Sequence, residues 1–210
     1  MNLKCRFKII LYNILLKIYF PRTTFRVIKD PIELEIVYNL TWQIYGLEKQ
    51  YIDTNNSSPE LFKDKYEKYS VVIGAFIKGN LIGTMRLIYP SPLGFYAEED
   101  FNVDLSPFPR REIVELARLA VLSDYRIKSL ISFGLFKKAF EISRISGIKY
   151  WLLVVPEKIK NYFSEFFVIK FHQLNLKELT ETQVKTRSKM INYYKINNPA
   201  PYIIPLKEIY

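Results

Sequence analysis

The chain has 210 residues, of which 49% are hydrophobic and 16% aromatic; that is enough to bury the core of one domain and too apolar for a disordered one. One cysteine, Cys5, and one histidine, His172, exclude an intrachain disulfide, a cysteine-cluster zinc site and most histidine-based triads, so no metal is expected and proton acceptance falls to a carboxylate or to a water it orients. The net charge of +10 is uneven, because Lys4, Arg6, Lys8, Lys17, Arg22, Arg26 and Lys29 all precede the first acid, Asp30. A basic arm of this kind suits an anionic partner such as an acidic protein or a membrane surface. Compositional drift in a Lys-, Ile- and Asn-rich chain is the alternative. No basic helix with interleaved aromatics argues for nucleic acid, and the cysteine usage fits a reducing, cytoplasmic setting.

Residues 1–20 form an apolar, basic extension ahead of a single domain expected over residues 21–210. Lys8, Asn13 and Lys17 interrupt its apolar run, leaving it too short to cross a bilayer comfortably. Lys17-Ile18-Tyr19-Phe20-Pro21 offers no small-residue cleavage site. A helix docked on the domain and a helix dipped into a membrane surface, at the inner face of the cell membrane, both fit. Thr23 to Ile28, rich in β-branched and aromatic residues, reads as a first strand. Asp30-Pro31-Ile32-Glu33 then opens a helix, with Asp30 as cap, Pro31 in the first turn and Glu33 closing a capping box. Leu34, Val37, Tyr38, Thr41, Trp42 and Tyr45 follow at helical spacing up to Gly46. Asn56 to Glu60 is a loop entering a short helical turn, capped by Ser58 with Pro59 at its first position. Beyond the charged run Asp64-Lys65-Tyr66-Glu67, strands Val71–Ile77 and Leu81–Leu87 flank a tight turn at Lys78-Gly79-Asn80. Residues 89–111, with Pro90, Pro92, Gly94, Pro107 and Pro109, read as a long irregular loop of the kind that serves as a lid.

Arg111 to Val121 reads as a strand bounded by Pro109 before it and Ser123-Asp124 after it. It carries an acid and a base three residues apart, Glu115 and Arg118. Strict alternation puts such a pair on opposite faces. The two serve one site only if a bulge re-aims part of the strand; otherwise each points to solvent or pairs with a neighbour. A helix from Leu130 to Ser146 closed by Gly147, a buried strand Tyr150–Val155, a helix from Pro156-Glu157 to about Phe167, and final strands at Lys189–Lys195 and Tyr202–Leu206 complete the chain. His172 reads as a surface or strand-end residue. The order describes an α/β (α+β) fold, a mixed sheet with helices on its faces.

Glu115-Leu116-Ala117-Arg118-Leu119-Ala120-Val121 resembles the Glu-x-x-Arg strand of acyl-homoserine-lactone (autoinducer) synthases and of the related long-chain N-acyl amino acid synthases. Both are branches of the GNAT superfamily of N-acyltransferases. Other similarities fall in the same order between residues 22 and 206. Asp64-Lys65-Tyr66-Glu67 is similar to an Asp-x-Tyr-Asp run, with Glu67 replacing the second Asp, and Gly83-Thr84-Met85-Arg86-Leu87 to a Gly-x-x-Arg-Leu strand. The resemblance implies a GNAT-type, mostly antiparallel sheet with helices on both faces. It also implies transfer of a long-chain acyl group from a thioester to the amino group of an amino acid or similar small amine.

By the same resemblance Glu115 is the general base, and Trp42, Tyr45, Asp64, Glu67, Arg86 and Arg118 surround the amine. Leu119, Val121, Arg126 and Ser129 would meet an acyl-phosphopantetheine, which is a co-substrate and not a resident cofactor. In the superfamily the turn after the strand is an Arg/Gln-x-x-Gly-x-Gly/Ala loop that holds the coenzyme A pyrophosphate. Here Arg126 matches its first position, but Ser129 and Ile131 stand where the small residues would be. That departure favours acyl carrier protein, with its single phosphate, over free acyl-coenzyme A (acyl-CoA). Thr41 stands where the family's first helix carries an Arg, which leaves the amine open. Lys170-Phe171, with Phe166 four residues ahead, replaces the Gly-Phe and Tyr of common acetyltransferases. Three alternatives remain: a lactone synthase using S-adenosylmethionine, an acetyltransferase using coenzyme A, and a non-catalytic module that binds membrane or carrier protein.

Overall fold

In the computed structural model, which describes residues 3–55, 57–167, 170–178 and 191–209, the chain starts with helix α1 (Leu3–Tyr19) and strand β1 (Thr23–Ile28). Helix α2 (Pro31–Trp42) continues as a π-helical segment, Gln43–Glu48, and 3₁₀ turns at Pro59–Phe62 and Glu67–Tyr69 lead into the hairpin β2 (Ser70–Ile77) and β3 (Asn80–Ile88). Then come α3 (Tyr96–Phe101), β4 (Ile113–Val121), α4 (Leu130–Ile145), β5 (Tyr150–Val155) and α5 (Glu157–Phe167). The short β6 (His172–Gln173), α6 (Ile191–Asn197) and β7 (Ala200–Pro205) follow. Asn56, the side chain of Phe166, and Lys189 and Met190 of the expected strand lie outside the described residues.

The strands form one sheet in the order β1-β2-β3-β4-β5-β7-β6, antiparallel throughout except between β4 and β5. Helices cover both faces, as expected. Against one face α4 packs Leu130, Ile131, Leu135 and Ala139 onto Ile73, Met85, Leu87, Val114 and Leu116. Gly134 permits the close approach there, since a Cβ would lie 2.0 Å from the Phe25 ring. The other face carries α2, through Val37 and Leu40, and α3, through Ala97 and Phe101.

Several local expectations give way to tertiary contacts. Asp30 caps α2 by accepting from the Ile32 N–H at 2.7 Å. Glu33 does not close the capping box; its carboxylate takes a bidentate pair from Arg26 of β1. Ser58 likewise caps nothing and donates to Glu60. The helix does not stop at Gly46 but runs on to Glu48. Residues 89–111 are not an irregular lid: Phe95, Phe101, Val103 and Leu105 are buried in a second core cluster around α3. The expected strand at 189–195 is helical from Ile191, where Tyr193 and Tyr194 stack on Tyr51 and Phe101. Tertiary packing of two adjacent aromatics overrides their strand preference.

Candidate active site

β4 is the strand on which the site is built. Thr84 of β3 faces Ala120, but Arg86 faces Ala117, so Arg118 and Leu119 together oppose the single residue Met85. Arg118 takes up the extra residue in the left-handed conformation, φ +54°, which among bulges belongs to the type that glycine usually fills. The bulge turns Arg118 toward the same 530 Å³ cavity that Glu115 lines. The Tyr45 hydroxyl fixes the bulge by donating to the Leu119 carbonyl at 3.1 Å.

The same stretch opens the sheet. β4 pairs with β5 only from Ile113 to Leu116, opposite Tyr150 to Leu153. Beyond that the strands part, and a cleft of about 400 Å³ opens between Ala117–Val121 on one side and Val154 and Val155 on the other. Phe136 of α4 and Phe163 of α5, with ring centroids 4.7 Å apart, form part of its apolar wall. Tyr45, Leu116, Ala117, Arg118, Val154 and Tyr193 line both the cleft and the larger cavity, so the two spaces meet at the bulge.

Glu115 is 2% exposed. Its two oxygens accept the N–H groups of Tyr96 at 2.7 Å and Ala97 at 3.0 Å, in the first turn of α3. Burial pushes its carboxyl up to about 8; the two amides oppose that rise, and Asp100 and Glu98 add to it. Asp64 is the hub of the second cluster. It accepts from Arg86 at 2.9 and 3.2 Å, from Arg118 and from the Tyr96 hydroxyl. Burial alone would raise its pKa, but Arg118 and Arg86 hold it below the usual carboxylate range. Arg118 also donates to the Phe62 carbonyl at 2.6 Å and to the Tyr96 hydroxyl at 2.7 Å. Two guanidiniums share this one carboxylate, and of the two only Arg118 lines the cavity, where it can meet an anionic group of a ligand.

Glu115, Asp64, Arg118 and Tyr45, all marked in the sequence, meet around the large cavity. Arg86 stands behind Asp64 and lines a separate 70 Å³ cavity with Thr41, Tyr38 and Glu67. Glu67 is exposed and bonded to the Tyr38 hydroxyl, so it does not join Asp64 as a second acid. Trp42 lines neither the large cavity nor the cleft. It packs beside Gly46 and against the Tyr38, Ile52 and Phe62 cluster.

Leu119, Val121, Arg126 and Ser129 all reach the rim of the cleft. The Arg126 guanidinium is already engaged, by the Val121 carbonyl at 2.7 Å and by both Glu48 oxygens. Lys128 and Ser129 are left-handed, with φ of +46° and +53°, and the Ser129 N–H is spent on the Arg126 carbonyl. The first turn of α4 has no side-chain cap. Its amides are therefore suited to a phosphate.

Sequence reading missed Tyr66, Tyr96, Tyr193 and Tyr194, which line the large cavity. Tyr66 lay inside a motif read only for its acids, and the others sat in segments taken for a loop and a strand. Among the described residues no cluster of His, Cys, Asp and Glu could hold a metal ion.

The sequence model of a family described as "N-acyl amino acid synthase FeeM" matches residues 36–175. Among solved structures the chain is similar to FeeM, an N-acyl amino acid synthase from uncultured soil microbes, with TM-score 0.65, 18% identity, and coverage of 89% of this chain and 92% of that one. It is similar to the acyl-homoserine-lactone synthase LasI, with TM-score 0.59, 14% identity and coverage of 88% and 90%. It is also similar to BjaI, a CoA-dependent acyl-homoserine lactone synthase solved with SAM and isopentyl-CoA, with TM-score 0.58, 17% identity and coverage of 83% and 77%. No curated protein matches by sequence. At these identities the structures show the fold, and it is the GNAT-type architecture expected from the motifs.

Proposed function

The chain belongs to the N-acyl amino acid synthase FeeM family and is an acyltransferase, and from that premise we propose that it forms an amide between a long-chain acyl group and the amino group of an amino acid or similar small amine. The observation that carries this reading is the bulge: it puts Arg118 on the cavity that Glu115 lines, at the point where that cavity meets the cleft between β4 and β5.

In this reading the acyl-phosphopantetheine lies along the parted edge of β4, passing Leu119 and Val121, with its phosphate toward Ser129 and the first turn of α4. Its acyl chain runs into the apolar cleft toward Phe136 and Phe163. The amine enters from the large cavity, and Arg118, held by Asp64, faces its carboxylate. The amine nitrogen attacks the thioester carbonyl carbon, and Glu115, directly or through a water, takes the proton that the nitrogen sheds. Backbone amides of the bulged strand stabilise the oxyanion. The intermediate then collapses, the C–S bond breaks, and the pantetheine sulfur leaves as the thiol, taking up the proton that Glu115 had accepted and returning the carboxylate to its ionised form. The Arg126 and Glu48 engagement and the left-handed Lys128 and Ser129 support acyl carrier protein, with one phosphate, as the donor. They leave a diphosphate fewer free amides.

Mass spectrometry of lipid extracts from a host expressing wild type or Glu115→Gln tests the reading. An N-acyl amino acid that accumulates with wild type and falls by two orders of magnitude or more with the variant is expected, in line with the roughly 10²–10⁴-fold contribution of a general base. An acyl-homoserine lactone in its place would move the protein to the other branch. No new acylated amine with either form would overturn the proposal.

A further inference from the structure

Helix α1 is apolar on two opposite faces. Its inner face is docked: Tyr12 and Phe20 are buried, and the Tyr12 ring lies 5.0 Å from Phe133 of α4. The Tyr12 hydroxyl donates to the Lys128 carbonyl at 3.3 Å, and Asn13 accepts from Lys137 at 3.1 Å. Its outer face is bare, with Phe7, Ile10, Leu11, Ile14 and Ile18 exposed by 67, 58, 40, 50 and 65%. At about 100° per residue these five fill a stripe about 100° wide, centred opposite the Tyr12–Leu16 face. Lys8 and Lys17 fall on the two seams between stripe and docked face, each roughly 90° from the stripe's centre. At the C-terminal end the exposed Tyr19 ring carries Lys128 over it at 5.1 Å. Two opposed apolar faces cancel in any single-face periodicity.

We propose that this outer face seats the protein on an anionic membrane surface, with α1 lying in the plane of the headgroups. A surface helix buries such a stripe some 5–10 Å deep while flanking lysines extend their stems toward lipid phosphates. The charge argues for lipid over a second copy of the chain. α1 carries four basic residues, Lys4, Arg6, Lys8 and Lys17, and no acid, so two such helices face to face would set like charges against each other, whereas anionic headgroups neutralise them. A spanning role is not the reading: among the described residues no helix is long and apolar enough to cross a membrane. The placement also has a use. α1 packs on α5, which lines the acyl cleft through Ile159 and Phe163, so the membrane would lie on the side where a long-chain product leaves the cleft.

The test is flotation of the full-length protein with vesicles of phosphatidylcholine alone or mixed with phosphatidylglycerol. Wild type is compared with Ile10→Gln/Ile14→Gln/Ile18→Gln, and oligomeric mass in solution is measured in parallel. The expected result is flotation of wild type with the anionic vesicles and a loss of about tenfold or more in the triple variant, at an unchanged melting temperature and an unchanged rate on a soluble thioester. Lys8→Gln/Lys17→Gln should weaken binding to anionic vesicles only. Equal flotation of wild type and triple variant would overturn the proposal. So would a wild-type dimer that ignores vesicles and falls to a monomer in the variant, which would assign the stripe to a second copy.

Discussion

Burial lifts the Glu115 carboxyl to about 8, while the Tyr96 and Ala97 amides draw it toward ionisation. As the proposed base it needs its unprotonated form, so kcat/KM should rise with pH and level off above about 8. Glu115→Gln should abolish this profile along with most of the rate. The same group sets a stability trend of opposite direction. Its folded pKa lies above the 4.5 of the free side chain, so the folded state holds a proton that the unfolded state has released. Stability should be full at low pH and fall as pH rises through about 8. Thermal unfolding followed over that range should show the slope in wild type and lose it in Glu115→Gln; a flat wild-type profile would mean the carboxyl is not raised. Asp64 behaves conversely, because Arg118 and Arg86 depress it. Its contribution is present above the ordinary carboxylate range and is lost as pH falls through the folded pKa. Asp64→Asn leaves Arg86, whose side chain is 5% exposed, without its counter-charge. Urea unfolding near neutral pH should register a loss of about 3 kcal/mol, the lower end for a broken buried pair because Asp64 is partly exposed.

The bulge in β4 was one of two readings the sequence left open, because an acid and a base three apart in an apolar strand share a site only through a bulge and otherwise face apart. α2, the hairpin β2–β3, α4 and β5 were legible too, since Asp30 opens α2, Lys78-Gly79 turns the hairpin and Gly147 separates α4 from β5. What escaped the sequence are elements whose cause lies elsewhere in the chain. α3 starts where the carboxylate of Glu115, nearly twenty residues on, accepts its first-turn amides, and its one local cap is Glu98 accepting the Phe95 N–H. α6 is helical because Tyr193 and Tyr194 find Tyr51 and Phe101. Glu33 prefers Arg26 of the neighbouring strand to its own helix start. Tyr45 shows the same distance from local pattern: it sits on a helical apolar stripe, yet its hydroxyl holds the Leu119 carbonyl across the cleft. Tyr45→Phe should therefore cost about 1 kcal/mol of stability and lower kcat/KM several-fold through the bulge. Unchanged kinetics at reduced stability would make Tyr45 a packing residue.

Across the whole molecule the basic surplus and the α4 turn bear on one quantity, the choice of donor. Free acyl-CoA brings a diphosphate that must be held by backbone amides, and here Ser129 has spent its amide on Arg126 while Arg126 has spent its guanidinium on Glu48. Lys128 and Ser129 also occupy left-handed backbone that glycine adopts without penalty. An acidic carrier protein needs only one phosphate site and gains from a chain of net charge +10. Acyl carrier protein should therefore outperform acyl-CoA in kcat/KM by about tenfold or more at low ionic strength. That advantage should shrink with added salt, as the screening length falls from about 10 Å at 0.1 M to about 3 Å at 1 M. The kcat values of the two donors should stay closer together than their KM values, because salt acts on encounter and not on the thioester. Ser129→Gly relieves the turn and should improve acyl-CoA while leaving the carrier-protein reaction nearly unchanged. Equal turnover of the two donors at low salt, or a salt response identical for both, would mean that the first-turn amides of α4 suffice for a diphosphate and that the basic surface plays no part in choosing the donor.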